Sequence, residues 1–221
     1  MAATGLFYVG AVLFVNGLLL LGFIEAKAAA IMNLFVGTLQ VVTPTFLIFT
    51  ANGDPDTILQ ASGLYLFGFT YLYVGIGLLG DLDTTGVGWF SLFVAIAAVG
   101  YSYVNFALLD NLPFGVIWLM WAFLWTLFFL VLGLKRESMT RYTGWVTLIE
   151  AWVTAAIPGF LLLTGQWPAT APTAIVLGAI AVVMALVLLP MLRPPGRRTA
   201  RAGEGGPAPV ETPTDQEYSR T

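Results

Sequence analysis

One ionisable side chain, Glu150, lies deep inside an apolar segment of this chain. It stands about seven residues, or roughly 10 Å, into its helix, because an α-helix rises about 1.5 Å per residue. Acidic residues inside a membrane are costly and usually face the bundle interior or a water-filled path, which favours a functional role. The alternative is a carboxyl group that only hydrogen-bonds neighbouring helices. We expect Asn16 and Asn33 at a similar depth, where they would form a polar layer with Glu150.

Aromatic residues recur at helical spacing in the stretch "VIWLMWAFLWTLFFLVLG", residues 116–133. Trp118, Trp121 and Trp125 are three and four residues apart, so they share one face of a helix. Two other helices place residues at the same spacing on one face. One carries Phe69 and Tyr73, and the other carries Val9, Leu13 and Asn16. Aromatic belts lie at helix ends, whereas Trp121 and Trp125 lie near the middle of theirs. An apolar wall beside one polar layer suits a narrow path for a small, neutral, flat molecule, because an ion needs rings of charge or carbonyl groups.

The sequence contains no cysteine and no histidine. Thiolate catalysis, imidazole acid–base catalysis and metal sites built from these residues are therefore excluded. No ATP-binding loop is present either. The sequence thus indicates neither an enzyme nor a cofactor, a metal or a nucleic-acid partner.

Composition indicates a membrane protein. Hydrophobic residues make up 58% and charged residues 10% of the 221 residues, whereas a soluble domain carries about 25% charged residues. Helices that cross a bilayer need roughly 20 apolar residues, and seven stretches are long enough: residues 5–24, 29–50, 58–80, 87–109, 113–134, 143–166 and 172–192. These stretches are apolar on all sides, which excludes the strands of a membrane barrel. The predicted fold is an all-α membrane protein with seven transmembrane helices.

The basic residues predict the orientation of these helices. All nine lie in the first loop, in the fifth loop or in the tail after residue 192, while the second and fourth loops carry Asp54, Asp56 and Asp110. The positive-inside rule therefore predicts an outside N-terminus and a cytoplasmic tail in the cytoplasmic membrane. The tail, residues 193–221, is rich in Pro, Gly, Arg and Thr and is predicted to be disordered. We interpret its segment "RPPGRRTAR" as a topology anchor, with binding of anionic lipid headgroups as the alternative.

Three copies of a helical hairpin account for the first six helices. The segments "IMNLFVGTLQ" (31–40), "WFSLFVAIAA" (89–98) and "WVTLIEAWVT" (145–154) align with one another. The alignment places Asn33, Ser91 and Thr147 in one column, and Val36, Val94 and Glu150 in another. Repeats in transport proteins tend to place a substrate path where the copies meet. We therefore divide the chain into a six-helix channel bundle (1–167), an additional peripheral, lipid-facing helix (168–192) and the tail (193–221).

At these residues the chain resembles a family of bacterial proteins that comprises proton-gated urea channels and amide transporters encoded beside amidases. The matching segments are "YVGAVLFVNG" (8–17), "MNLFVGTL" (32–39), "LFGFTYLY" (66–73), "WFSLFVAI" (89–96), "IWLMWAFLW" (117–125) and "LIEAWVTAAIP" (148–158). The resemblance implies a homo-hexamer with a pore in each six-helix subunit and a lipid-filled centre. It also implies two constrictions of aromatic and aliphatic side chains with a glutamate near the middle. The matching positions are Val9, Leu13, Phe69, Tyr73, Trp121, Leu124, Trp125 and Glu150.

The chain departs from the proton-gated relatives in its second loop. Their loop is long and bears histidine, whereas here it reads "ANGDPDTI". Acid gating through imidazole is therefore impossible. The predicted function is a passive channel for urea or short aliphatic amides. The alternatives are a proton-coupled transporter with Glu150 as the proton carrier, and a non-transporting membrane scaffold or receptor that binds partners through its tail.

Overall fold

A computed structural model describes residues 1–192, and every regular element in that part of the chain is a helix. The predicted disordered tail, residues 193–221, lies outside the described residues. The helices are α1 (Ala2–Leu20), α2 (Ala26–Thr50), α3 (Pro55–Leu79), α4 (Thr85–Ala107), α5 (Leu112–Phe128), α6 (Thr140–Glu150), α7 (Ile157–Leu163) and α8 (Ala171–Val187). A π-helical segment, Phe129–Gly133, continues α5, and a second one, Ala151–Ala156, joins α6 to α7.

Six helical spans within residues 1–192 are long and apolar enough to cross a membrane. The sixth runs without interruption over Glu137–Leu163, because a 3-10 turn (Glu137–Met139), α6, the π-helical segment after it and α7 follow one another directly. The seventh predicted span is shorter: α8 has 17 residues, and a short 3-10 turn, Leu189–Leu192, follows it. The all-α class is therefore confirmed for residues 1–192, with six spans and one shorter apolar helix, whereas the seventh transmembrane helix stays a prediction.

The six spans pack in pairs that close into a ring. α2 packs on α3, α4 on α5, and α6 with α7 on α1. Each pair meets at a glycine. A Cβ atom at Gly37 would lie 2.7 Å from the Leu72 nitrogen, one at Gly10 would lie 2.6 Å from the Ala156 nitrogen, and one at Gly88 would overlap the backbone of Gly133. Small residues allow such close approach, which matters because helices in lipid associate through packing rather than through the hydrophobic effect.

The second helix of each predicted hairpin buries matching positions. Both columns of the alignment are buried: Asn33, Ser91 and Thr147, and Val36, Val94 and Glu150. The column one turn further on is buried as well, and it contains Gln40, Ala98 and Thr154. The aligned positions of these three helices are therefore all buried, while the repeat itself stays a prediction.

The additional helix α8 packs along the outside of the bundle against α5. One stripe of it is buried, with Ala174, Leu177 and Met184, and the Tyr142 hydroxyl of α6 donates a hydrogen bond to the Ala185 carbonyl at 3.2 Å. Its opposite face is exposed and apolar; it carries Ile175, Val176, Val182, Val183, Leu186 and Val187. α8 is therefore peripheral, and it presents one face to the bundle and one outward.

The two ends of the bundle differ in charge. At one end, named the basic end below, Lys27 lies 3.3 Å from Asp81 and Lys135 lies 3.1 Å from Asp83. These pairs tie the loop between α3 and α4 to the first and fifth loops. All four side chains are at least half exposed, so the pairs contribute little to stability. The opposite end, named the N-terminal end, carries Met1 and the loops after α2, α4 and α7.

We expect Gly88→Ala to destabilise the subunit, because the added methyl group would force α4 away from the segment around Gly133. Overpacking of this kind costs about 1–3 kcal/mol. The midpoint of unfolding in a detergent titration with sodium dodecyl sulfate measures the change. The matched control is Gly100→Ala on the same helix, where a Cβ atom meets nothing within 4 Å. Equal midpoints for the two variants would show that the close approach at Gly88 is not required.

Candidate functional site

Two cavities enter the bundle from opposite ends and approach each other near its middle. The basic-end cavity, of about 100 Å³, opens beside Asp83 and Thr84. The N-terminal cavity, of about 310 Å³, opens beside Thr57 and Asn111. Both exceed the roughly 10–15 Å³ that one water molecule requires. Trp121 lines both cavities, so its indole ring separates them.

A cluster of four aromatic side chains, named the aromatic cluster, forms this separation: Phe67, Trp118, Trp121 and Trp125. The Phe67 ring centre lies 4.8 Å from those of Trp121 and Trp125, with edge-to-face geometry. Trp118 and Trp121 are likewise edge to face at 5.0 Å. Such pairs stabilise beyond the apolar area they bury, by about 0.5–1.5 kcal/mol each. The rings are packed on one another, so the structure has a closed barrier between the cavities.

Most of the predicted pathway residues lie along these cavities. Leu13, Asn16, Leu124 and Trp125 line the basic-end cavity, Trp118 lines the N-terminal cavity, and Trp121 lines both. Val9 is buried in the core, one turn from Leu6 of the N-terminal cavity and one turn from Leu13 of the basic-end cavity. Val9 therefore lies at the level of the closed barrier and lines neither cavity.

Phe69 and Tyr73 require a correction, because they lie on the outer surface of the subunit. Their exposed fractions are 50% and 41%. The inward-facing aromatic residues of α3 are Phe67 and Tyr71, which are buried and line the basic-end cavity. Two residues correspond to about 200° around a helix, so the two aromatic pairs of α3 face opposite ways. The sequence signal for the inner face was Gly68 and Gly75, both of which are buried where α3 meets α2.

The predicted polar layer is partly assembled by direct bonds. Asn16 donates to the Asn33 side-chain oxygen at 3.0 Å, and Asn33 donates back to the Asn16 oxygen at 2.7 Å. Asn33 also donates to the Ala29 carbonyl at 3.0 Å. The two amide groups therefore satisfy each other between α1 and α2, and Asn16 keeps one edge on the basic-end cavity.

Glu150 lies at a similar depth but bonds to neither asparagine. α1 and the sixth span are antiparallel, with Gly17 against Leu148 and Gly10 against Ala156, which places Glu150 level with Asn16. Its side chain is fully buried, and neither carboxyl oxygen has a hydrogen-bond partner within residues 1–192. It lines neither of the two cavities. Glu150 is thus an enclosed carboxyl group beside the closed barrier.

Thr154, which sequence reasoning missed, connects the aromatic cluster to the helix of Glu150. The Trp121 indole N–H donates to the Thr154 hydroxyl at 2.9 Å, and that hydroxyl donates to the Glu150 backbone carbonyl at 2.7 Å. Pro158, four residues after Thr154, has no N–H with which to continue the α-helical bonds. The backbone from Ala151 to Ala156 is π-helical, and π-helical segments often occur at functional sites. The sequence signal was "TAAIP", a hydroxyl residue four positions before a proline.

Comparisons with known proteins identify the family of this chain. The model of the AmiS/UreI family of transporters matches residues 1–166. A putative transporter protein AmiS2 of Rhodococcus erythropolis is 56% identical over 170 residues, which cover 77% of this chain and 82% of that protein. A putative amidate substrates transporter protein of Mycolicibacterium smegmatis is 50% identical over 213 residues, 95% of this chain and 97% of that protein.

A solved structure has the same fold. The cryo-EM structure of the Helicobacter pylori urea channel in a closed state superposes with a TM-score of 0.69 at 33% identity. The match covers 76% of this chain and all of that one. The family match, the relatives and the shared fold lead to one conclusion: this chain belongs to the AmiS/UreI family of transporters.

Proposed function

We propose that the protein is a passive channel for urea and short primary amides such as acetamide. The observation that carries this proposal is the meeting of two cavities at Trp121, with apolar and aromatic walls on both sides. A planar neutral solute needs only a small movement of ring edges to pass such a barrier. The names of the relatives, an amidate substrates transporter and a urea channel, support this class of permeant. Swelling of liposomes that contain the protein, with a panel of urea, formamide, acetamide and propionamide, tests the proposal directly.

The proposed setting is the cytoplasmic membrane, with the N-terminal end outside and the basic end in the cytoplasm. The described basic residues support this orientation, because Lys27, Lys135, Arg136 and Arg141 all lie at or next to the basic end. We include α8 as a seventh span, since 17 residues reach the lower limit for a transmembrane helix. We also propose a homo-hexamer around a lipid-filled centre, in which Phe69 and Tyr73 would face a neighbouring subunit or lipid.

The role we propose for Glu150 is to accept hydrogen bonds from the N–H groups of the permeant. An amide that leaves water loses partners for these groups, and each unpaired one costs about 1–3 kcal/mol. Two carboxyl oxygens without partners beside the barrier suit this task. The rival is a proton-coupled transporter with Glu150 as the carrier, for which uptake would exceed the substrate gradient and stop when an uncoupler is added. The scaffold alternative assigns the function to the tail. If the protein still conducts the permeant at an unchanged rate after deletion of residues 193–221, that alternative is excluded.

Trp121→Ala should raise the permeability to glycerol severalfold, because it removes the ring that separates the two cavities. Urea permeability should change less, since urea already passes the intact barrier. Stopped-flow swelling of proteoliposomes measures both rates. The matched control is Trp89→Ala, which removes a tryptophan from the exposed outer surface. Intact glycerol exclusion in Trp121→Ala would mean that this tryptophan is ordinary packing.

Urea flux should stay nearly constant between about pH 7.5 and about pH 5.5, where unperturbed carboxyl groups remain ionised. The chain has no histidine, and the pKa values of two acidic loop residues, Asp54 and Asp83, are lowered. Hydrogen bonds from Thr57 lower the pKa of Asp54, and bonds from Thr85, with Lys135 beside it, lower the pKa of Asp83 to about 2. Because both pKa values are lowered, each carboxylate stabilises the folded protein fully at any pH above its ordinary pKa. That stabilisation is lost only as the pH falls through the lowered value, which is about 2 for Asp83. Urea flux measured at several pH values across this range tests the prediction, and a steep increase in flux on acidification would contradict it.

Glu150→Gln should retain urea flux within about threefold of the original protein, because the amide keeps an acceptor oxygen and the shape of the side chain. Glu150→Val, which installs the residue type of Val36 and Val94, should lower flux about tenfold or more, the factor expected for a lost buried hydrogen bond. Both variants must first reach the membrane in the same oligomeric state as the original. If Gln is as inactive as Val, proton release is required and the coupled mechanism is favoured.

A further inference from the structure

Gln40 of α2 is a second buried polar residue with an oxygen that lacks a hydrogen-bond partner in the part of the chain that the structure describes. Its exposed fraction is 1%, and its side-chain oxygen has no hydrogen-bond partner within residues 1–192. A buried acceptor without a partner is costly, and such groups are rare enough in native proteins to require an explanation. The predicted pathway residues do not include it.

Gln40 does not itself line the N-terminal cavity, but it packs directly behind residues that do. Its amide group packs against α1, where a Cβ atom at Gly5 would lie 3.0 Å from the Gln40 side-chain nitrogen. The next residue of α1, Leu6, lines that cavity. On α2 itself Leu47 lines the cavity two turns nearer the N-terminal end, on the same face as Gln40. The amide is therefore next to the walls of the cavity, on the N-terminal side of the aromatic cluster.

The repeat relates Gln40 to the residue that holds the barrier in place. Gln40, Ala98 and Thr154 form one buried column, and both Gln40 and Thr154 precede a buried intrahelical proline by four residues, Pro44 and Pro158. In the third repeat this position binds Trp121 through the Thr154 hydroxyl. In the first repeat the same position carries a primary amide group whose oxygen is free to accept.

The protein itself shows what such an amide group binds. Asn16 and Asn33 pair edge to edge, and each donates one N–H to the oxygen of the other at 3.0 and 2.7 Å. Urea and acetamide carry the same edge, a carbonyl oxygen beside an N–H on one planar carbon. We propose that Gln40 binds this edge of the permeant at the N-terminal face of the aromatic cluster, before the permeant reaches Glu150. This inference rests on the proposed function.

Gln40 and Glu150 lie at different depths in the bundle, so a permeant would contact them one after the other. In the alignment Glu150 matches Val36, four residues from Gln40, which corresponds to about 6 Å along a helix. Gln40 lies nearer the N-terminal end and Glu150 nearer the basic end. A small amide that leaves Gln40 therefore passes the rings of the aromatic cluster over a short distance before a second acceptor is within reach.

Gln40→Met tests the proposal, because methionine keeps the length of the side chain and removes both its donor and its acceptor. Swelling of proteoliposomes is measured for acetamide and for ethylene glycol, a solute of similar size without an amide edge. We expect the ratio of acetamide to ethylene glycol permeability to fall about tenfold, as for one lost buried hydrogen bond. The matched control is Thr143→Val, which removes a buried hydroxyl that bonds the Met139 carbonyl of the turn just before its helix; its ratio should not change.

Two outcomes would overturn the assignment. One is that neither permeability changes in Gln40→Met, and the other is that both fall by the same factor, which would make Gln40 a packing residue; the ratio is unchanged in either case. A variant that fails to fold is replaced by Gly5→Ala, whose methyl group presses on the Gln40 amide at about 3 Å without removing it; the ratio should fall there as well, and an unchanged ratio would again overturn the assignment. Failure of the original protein to conduct acetamide at all would instead refute the proposed function.

Discussion

The hydrogen bond from the Trp121 indole to the Thr154 hydroxyl is the interaction that positions the barrier between the two cavities. In an apolar interior the indole N–H has few alternatives, and leaving it without a partner costs about 1–3 kcal/mol. The same hydroxyl donates to the Glu150 carbonyl, so one side chain serves as acceptor and donor at once. This fixes the Trp121 ring against Phe67. The barrier between the two cavities is therefore tied to the backbone of the helix that carries Glu150.

That helix is also where the three predicted hairpins differ in backbone geometry. The second helices of the first two hairpins, α2 and α4, are α-helical throughout, whereas the third contains the π-helical segment Ala151–Ala156. A proline alone does not explain the difference, because α2 tolerates Pro44 without a π-helical segment. The third hairpin combines its proline with an enclosed carboxyl group and with the bond to Trp121. Close packing at Gly10 against Ala156 holds this irregular stretch in place, and in lipid irregular backbone persists only where protein covers it.

Much of the fold was predictable from sequence, because apolar length and loop chemistry define membrane helices strongly. The six spans, the Asn16 and Asn33 contact and the inward tryptophans of α5 all follow from spacing. Spacing does not predict which face of α3 points inward. The same four-residue spacing occurs in two aromatic pairs, Phe67 with Tyr71 and Phe69 with Tyr73, and only tertiary packing distinguishes the buried pair from the exposed one. Thr154 and Gln40 were missed for a different reason. Single polar residues in a helix are usually satisfied by packing, and only the structure shows which partners are present and which are lacking.

In the proposed channel, the aromatic cluster would present very different barriers to neutral amides and to ions. Water can occupy both cavities, so a solute must shed its hydration only across the rings between them. Trp118 and Trp125 are seven residues apart, which corresponds to about 10 Å of helix. Over that distance an amide without partners loses about 2–7 kcal/mol, whereas an isolated ion loses tens of kcal/mol. One or two acceptors beside the rings offset most of the first cost and little of the second. Discrimination therefore needs no charged filter; a short apolar barrier with few, well-placed oxygen atoms is sufficient.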